Sequence, residues 1–165
     1  MNIAFLGNFV EKKGNQDFIR LVKQYHHLHN FYIFGYVIDE KQYNQIKKYI
    51  VKQIAYQEGE LRSLFKKYDI DCGITMSVCP ESFSRTFFNA VNTNLPVIIN
   101  NLGFPYQLFG ESYPLLYKNE IQLHQLMKTL NSDILQQAQK YYTKEFFADI
   151  LQKQVRKYNL VDQIL

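Results

Sequence analysis

Apolar residues come in short runs separated by amphipathic stretches, and the alternation continues along the whole chain. NIAFLG (Asn2 to Gly7) ends in glycine and reads as a buried first strand. After the loop NFVEKKG, Asn15 can cap a helix whose apolar face gathers Phe18, Leu21, Val22, Tyr25 and Leu28. FYIFGY is the second strand. Asp39 to Tyr49 reads as a polar helix with Tyr43, Ile46 and Ile50 at helical spacing, and VKQIAY is the third strand. EGELRSLFKKYD turns Leu61, Leu64 and Phe65 inward as a helix before the fourth strand, DCGITMSV. The stretch CPESFSRTFFNAV then hands over to a helix ending near Asn92. LPVIIN is the fifth strand, and NLGFPYQLFGES is a turn-rich loop. YPLLY reads as a sixth strand at an edge, because Pro114 cannot donate to a ladder. Glu120 to Leu130 and Ser132 to about Leu160 read as helices.

Apolar strands alternating with amphipathic helices imply parallel pairing through right-handed crossovers. The expected fold is α/β: a Rossmann-like, doubly wound parallel sheet of about six strands with C-terminal helices across it. Residues 1–165 form a single expected domain, with no repeat and no linker.

Composition narrows the function classes. The chain is 47% hydrophobic and 21% charged, which is globular and not disordered. A net charge of +4 suits an anionic ligand but is no nucleic-acid signature, and the aromatic residues fall mostly on core-facing periods. Cys72 and Cys79 read as two buried free thiols in a reducing compartment. No N-terminal signal and no run long enough to span a bilayer is visible, so a cytoplasmic protein is expected.

In such a sheet the loops at the carboxyl ends of the strands face the ligand. The loop after the first strand offers Gly7, Lys12, Lys13 and Gly14 just before a helix start, where a lysine and backbone N–H groups can share a phosphate. The bland alternative is a solvated pair of lysines. In CPESFSRTFFNAV, Pro80 ends the strand and Ser82 or Ser84 can cap the helix. Arg85 and Thr86 then occupy a first turn with free N–H groups, Glu81 stands before it, and Asn89 follows on the same helix. Glu81 alone could merely complement the helix dipole. Gly103, after the fifth strand, permits close backbone approach to a ligand or an ordinary turn. His26 and His29 could share a face, but no further ligand stands near enough to complete a zinc site. Their expected role is a favourable charge at the helix C-terminus. A G-x-S-x-G elbow is absent.

Taken in order, FLGNFVEKKG, FYIFGY, GELRSLFKKYDIDCGITMS and PESFSRTFFNA resemble the C-terminal, donor-binding domain of retaining GT-B glycosyltransferases of the group 1 type, which act in polysaccharide or rhamnan synthesis. The resemblance covers essentially the whole chain and implies one half of a GT-B fold. It implies a nucleotide-diphosphate-sugar donor as substrate, with no metal and no other cofactor. Lys13 would counter the diphosphate beside Gly7 and Gly14, and Ser84, Arg85 and Thr86 would offer N–H groups to it. Glu81 would hold donor-sugar hydroxyls as the catalytic residue, and Gly103 would line the sugar pocket. Tyr56 would lie near the base. Asn89 takes the place of the second glutamate in the family's E-x7-E signature, which binds the ribose, and Gln107 replaces another family glutamate. Both changes keep shape and remove charge, so they bear on catalysis more than on binding.

The family's N-terminal acceptor domain is not in these 165 residues, so the resemblance implies a separate domain or partner subunit. It leaves open peripheral attachment at the inner face of a membrane. Two functions are weighed: the donor domain of an enzyme that is inactive in isolation, or a non-catalytic nucleotide-sugar-binding or assembly subunit.

Overall fold

The computed structural model describes residues 1–57, 59–80, 82 and 84–142. Glu81, and the helix expected from residue 143 onward, lie outside the described residues. The strands are β1 (Asn2–Leu6), β2 (Asn30–Phe34), β3 (Ile50–Ile54), β4 (Cys72–Ile74), β5 (Val97–Asn100) and β6 (Leu116–Tyr117). The helices are α1 (Asn15–Tyr25), α2 (Glu40–Tyr43), α3 (Leu61–Lys67), α4 (Arg85–Asn92), α5 (Gly103–Phe109), α6 (Glu120–Thr129) and α7 (Ser132–Gln139). The strands form one six-stranded sheet in the order β3-β2-β1-β4-β5-β6, and every neighbouring pair is parallel. This is the expected doubly wound fold, with YPLLY supplying the edge strand β6.

The central strands are apolar on both faces because helices cover both. Ile3, Ala4 and Phe5 of β1, and Val97, Ile98 and Ile99 of β5, are fully buried. Aromatic rings do the filling that absent tryptophans cannot: Phe5, Phe9, Phe18, Phe31 and Phe34 are all fully buried. Phe18 of α1 meets Phe5 at 4.8 Å and Phe31 at 5.7 Å between ring centroids. Burying each such side chain contributes about 1.5–3 kcal/mol. β3 is the opposite edge, and Val51 and Lys52 face solvent there.

Several expectations are corrected. Gly14, at φ 81°, is the N-cap of α1, and Asn15 is its first residue. The Asn15 side chain is fully buried, with neither amide atom partnered among the described residues. The last turn of α1 closes at Tyr25, so Leu28 stands 51% exposed and off the apolar face. The helix expected from Asp39 to Tyr49 is only four residues long, capped by Asp39 and followed by a 3-10 turn at Lys47–Tyr49. Fully buried Ile46 draws the chain inward between those two pieces. NLGFPYQLFGES contains a helix, α5. Pro105 lies in its first turn, where a missing N–H costs nothing, and Phe104 and Phe109 pack on Phe87 of α4. Cys72 is buried as expected, but Cys79 is exposed because it follows the end of β4.

His29 departs from the reading of the sequence, whereas His26 stands at the C-cap of α1. His26 stacks on Tyr49, with centroids 4.1 Å apart. His29 is buried and its Nε2 donates to the Met127 carbonyl of α6 at 2.7 Å, while Nδ1 lacks a partner among the described residues. Together with Tyr25, whose hydroxyl lies 3.0 Å from His124 Nδ1, it joins the end of α1 to α6. No helix among the described residues is long and apolar enough to cross a membrane.

Burial holds the His29 pKa below the usual imidazole range, against the opposing effect of its bond to Met127. The unfolded chain therefore takes a proton before the folded one. The stability conferred by neutral His29 is complete above the unfolded pKa and declines as pH falls through it toward the lower folded value. Urea unfolding between about pH 7 and pH 5 should show stability falling with acid, and His29→Gln should flatten that slope. An unchanged slope would exclude His29 as its source.

Candidate functional site

β1 lies between β2 and β4, so the chain leaves β1 toward one side of the sheet and returns after β3 to the other. The loops after β1 and β4 diverge at that point and leave a crevice at the carboxyl ends. Three local features shape it.

The first is the loop after β1. It continues to pair with the chain after β2: Gly7 N–H donates to the Phe34 carbonyl at 2.9 Å and Phe9 N–H to the Tyr36 carbonyl at 2.8 Å. Phe9 is fully buried against Phe5, Phe18 and Tyr43, which pins the middle of the loop to the core. A single 3-10 turn at Glu11–Lys13 follows and ends at Gly14. A Cβ at Gly14 would lie 2.0 Å from the Met76 carbonyl oxygen, so only glycine fits there. Val78 N–H donates to the Lys12 carbonyl at 3.2 Å, locking this loop to the one after β4.

The second is the recess so formed, about 220 Å³ in volume, lined by Gly7, Asn8, Lys13, Gly35, Tyr36, Tyr56 and Thr86. A Cβ on Gly7 would lie 4.0 Å from Lys13 Cδ, which places the lysine stem over Gly7. Tyr56 stands just past β3, its ring 6.5 Å from that of Phe34. Burial pushes the Tyr56 hydroxyl pKa up, and a hydrogen-bonding contact with Thr86 opposes the rise.

The third is the start of α4. Ser84 is its N-cap and is buried, yet its hydroxyl makes no hydrogen bond to the first turn. Among the described residues no side chain caps the first-turn N–H groups, and the positive end of the helix dipole lies behind them. Arg85 is exposed, and Thr86 and Asn89 are half-buried. Ser84 also faces a narrower recess of about 10 Å³ with Thr75, Ser77, Cys79, Asn100, Leu102 and Pro105.

Of the residues singled out from the sequence, Gly7, Lys13, Tyr56 and Thr86 line one recess, and Gly14 braces it from behind. Ser84, Arg85 and Asn89 share α4 or its cap. Gly103 does not face this recess: it opens α5 at φ 63°, and its neighbours Leu102 and Pro105 line the narrower recess. Gln107 is exposed on α5. Glu81 lies outside the described residues. The sequence reading missed Asn8, Gly35 and Tyr36. Their signal was position, since each directly follows the apolar run of a strand, and Tyr36 is an aromatic left 56% exposed.

No protein-family model matches the sequence, and no curated protein matches it. Solved structures do. A glycosyltransferase from Rickettsia africae ESF-5 matches with a TM-score of 0.71 over 97% of this chain and 47% of that one, at 16% identity. The Anabaena protein HepE in complex with UDP-glucose matches with a TM-score of 0.69 over 97% of this chain and 48% of that one, at 17% identity. The C-terminal domain of a group 1 family glycosyl transferase from Francisella tularensis matches with a TM-score of 0.64 over 86% of this chain and 81% of that one, at 14% identity. The chain spans about half the length of the Rickettsia and Anabaena proteins. At these identities the likeness is one of fold. The chain has the six-stranded, Rossmann-like architecture of one half of a GT-B glycosyltransferase, and it matches a C-terminal half.

Gly14→Ala should destabilise the protein by roughly 2–5 kcal/mol, from positive φ and overpacking against Met76 together. Chemical denaturation measures this, and a loss under about 1 kcal/mol would mean that the two loops are not locked at Gly14.

Proposed function

We propose that this chain is the donor-binding part of a retaining glycosyltransferase, with a nucleotide diphosphate sugar as its substrate. One observation carries the reading: Lys13, Tyr56 and the uncapped start of α4 meet at the crevice between β1 and β4. A lysine and a helix N-terminus on facing walls suit a diphosphate, and the exposed ring of Tyr36 beside Tyr56 suits a base. Breaking the sugar–phosphate bond builds negative charge on the departing diphosphate. Lys13 and the first-turn N–H groups of Arg85 and Thr86 would stabilise that charge. Glu81 would hold hydroxyls of the donor sugar, and Asn89 would bond the ribose. The recess of about 220 Å³ is smaller than the ~300–1,000 Å³ usual for a small-molecule site. A second domain or subunit, binding the acceptor, would supply the opposite wall. Surface polysaccharide or a related glycan is the proposed product, made in the cytoplasm or at the inner face of a membrane.

The amides at Asn89 and Gln107 favour a second reading, a nucleotide-sugar-binding or assembly subunit without catalysis. Asn89→Glu separates the two. Restored or raised transfer in the presence of the acceptor-binding part speaks for an enzyme, and tighter UDP binding without transfer speaks for a binding subunit.

UDP and UDP-glucose should raise the melting temperature of the chain, whereas uridine should do so far less. A ligand at 100 times its dissociation constant adds about 2.7 kcal/mol. Lys13→Ala should weaken UDP binding roughly tenfold or more, as expected for loss of a charge-assisted bond, while Lys12→Ala, on the exposed side of the turn, should not. No response to UDP, GDP, dTDP or CMP ligands would overturn the donor-site reading.

Glu81→Gln should weaken binding of UDP-glucose while leaving UDP nearly untouched, a difference worth about 1.5–3 kcal/mol by calorimetry. Equal loss for both ligands would place Glu81 at the diphosphate instead of the sugar.

A further inference from the structure

A second recess, about 310 Å³ in volume, opens on the other flank of the loop after β4. It lies between α1 and the start of α6, over the carboxyl ends of β4, β5 and β6. The contact of Gly14 with Met76 and the bond from Val78 to Lys12 form the partition between it and the recess of Lys13 and Tyr56. None of the residues proposed to bind the nucleotide lines it.

The charges around this recess are already matched. Arg20 pairs with Asp17 and approaches Glu120 at 3.8 Å, His124 lies 3.5 Å from Glu120, and Lys118 pairs with Glu111. An ionic ligand would have to disrupt those pairs. The floor is apolar, with buried Leu21, Met76 and Leu123. The remaining polar capacity is carboxamide. Asn100 uses its Nδ2 on the Ser77 carbonyl at 2.8 Å, which leaves its Oδ1 to accept. Asn119 uses its Oδ1 to cap α6 at Gln122 N–H, 3.0 Å away, which leaves its Nδ2 to donate. Asn101 is exposed, and neither of its amide atoms has a partner among the described residues. A wholly apolar ligand would bury these groups unpaired. A ring with hydroxyls at its rim and C–H groups on its face satisfies both the floor and the carboxamides.

We propose that this recess is a subsite for a neutral saccharide, separate from the nucleotide site and about large enough for one or two sugar rings. That this recess binds a neutral saccharide does not rest on the glycosyltransferase reading.

The test is a titration of the isotope-labelled chain with the methyl glycosides of glucose, galactose, mannose and N-acetylglucosamine, read as amide shifts by NMR with and without saturating UDP. At least one glycoside should move the amides of Val78, Asn101 and Asn119 saturably, in both conditions. Asn101→Ala should weaken that binding about fivefold, the worth of one neutral hydrogen bond. Leu123→Trp, which fills the floor, should abolish it. Absence of saturable shifts at these amides overturns the proposal. So do displacement of the glycoside by UDP, an Asn101→Ala variant that binds unchanged, or inorganic phosphate moving the same amides more strongly. A separate UDP titration, read at Gly7, Gly35 and Tyr56, judges the donor site independently. Glycoside binding without a UDP response would retain this subsite and reject the donor reading.

Discussion

β1 pairs along its length with β2 on one side and through Ile3, Ala4 and Phe5 with β4 on the other. That double pairing is the constraint on which the rest depends. It forces the chain to change direction across the sheet, and the change opens the crevice at the carboxyl ends. Had β4 paired outside β3, the loop carrying Lys13 and the start of α4 would stand three strands apart. Instead Ile3, Ala4 and Phe5 face Cys72, Gly73 and Ile74 directly, and both loops emerge side by side. Gly73 contributes by what it lacks: a Cβ there would come within 2.5 Å of Leu6 Cδ1.

Rigidity at the crevice comes from the core beneath it. The loop after β1 has one buried anchor, Phe9, between two stretches that reach solvent. Glycines handle its close approaches. A Cβ on Gly35 would meet the Gly7 carbonyl oxygen at 2.1 Å, and one on Gly14 would meet that of Met76 at 2.0 Å. Lys13 is therefore carried on a turn fixed at both ends. The same locking bonds divide the crevice into two recesses of different chemistry, one with a lysine and a helix N-terminus, the other with cancelled charges and carboxamides.

Much of this was legible in the sequence. Short apolar runs alternating with amphipathic stretches gave the parallel sheet, because strands buried on both faces need no polar alternation. Lys13 and Thr86 could be placed together because one closes the loop after β1 and the other lies in the first turn of the helix after β4, and the fold sends both to one end. The failures have local causes. Asn15 looked like a cap by residue type, but the positive φ that ends the preceding turn had to fall on Gly14, so Asn15 moved one place into the helix. The α5 segment looked like a loop because glycine and proline punctuate it. Phe104 and Phe109 found a partner in Phe87, a contact that sequence spacing does not express.

The sequence by itself determined the class of fold and the order of the strands, since periodicity and turn residues act over a few positions. Only the tertiary structure decided which loops meet. It brought Tyr36 and Asn8 into the recess of Lys13 and Tyr56. It turned His29 from a helix-end charge into a buried donor to α6. It also assembled the carboxamide-rimmed recess from α1, α6 and the ends of β4 to β6, whose residues range from Asp17 to His124. Such meetings depend on strand order and on which face each crossover helix covers, and these are settled by packing the whole core at once.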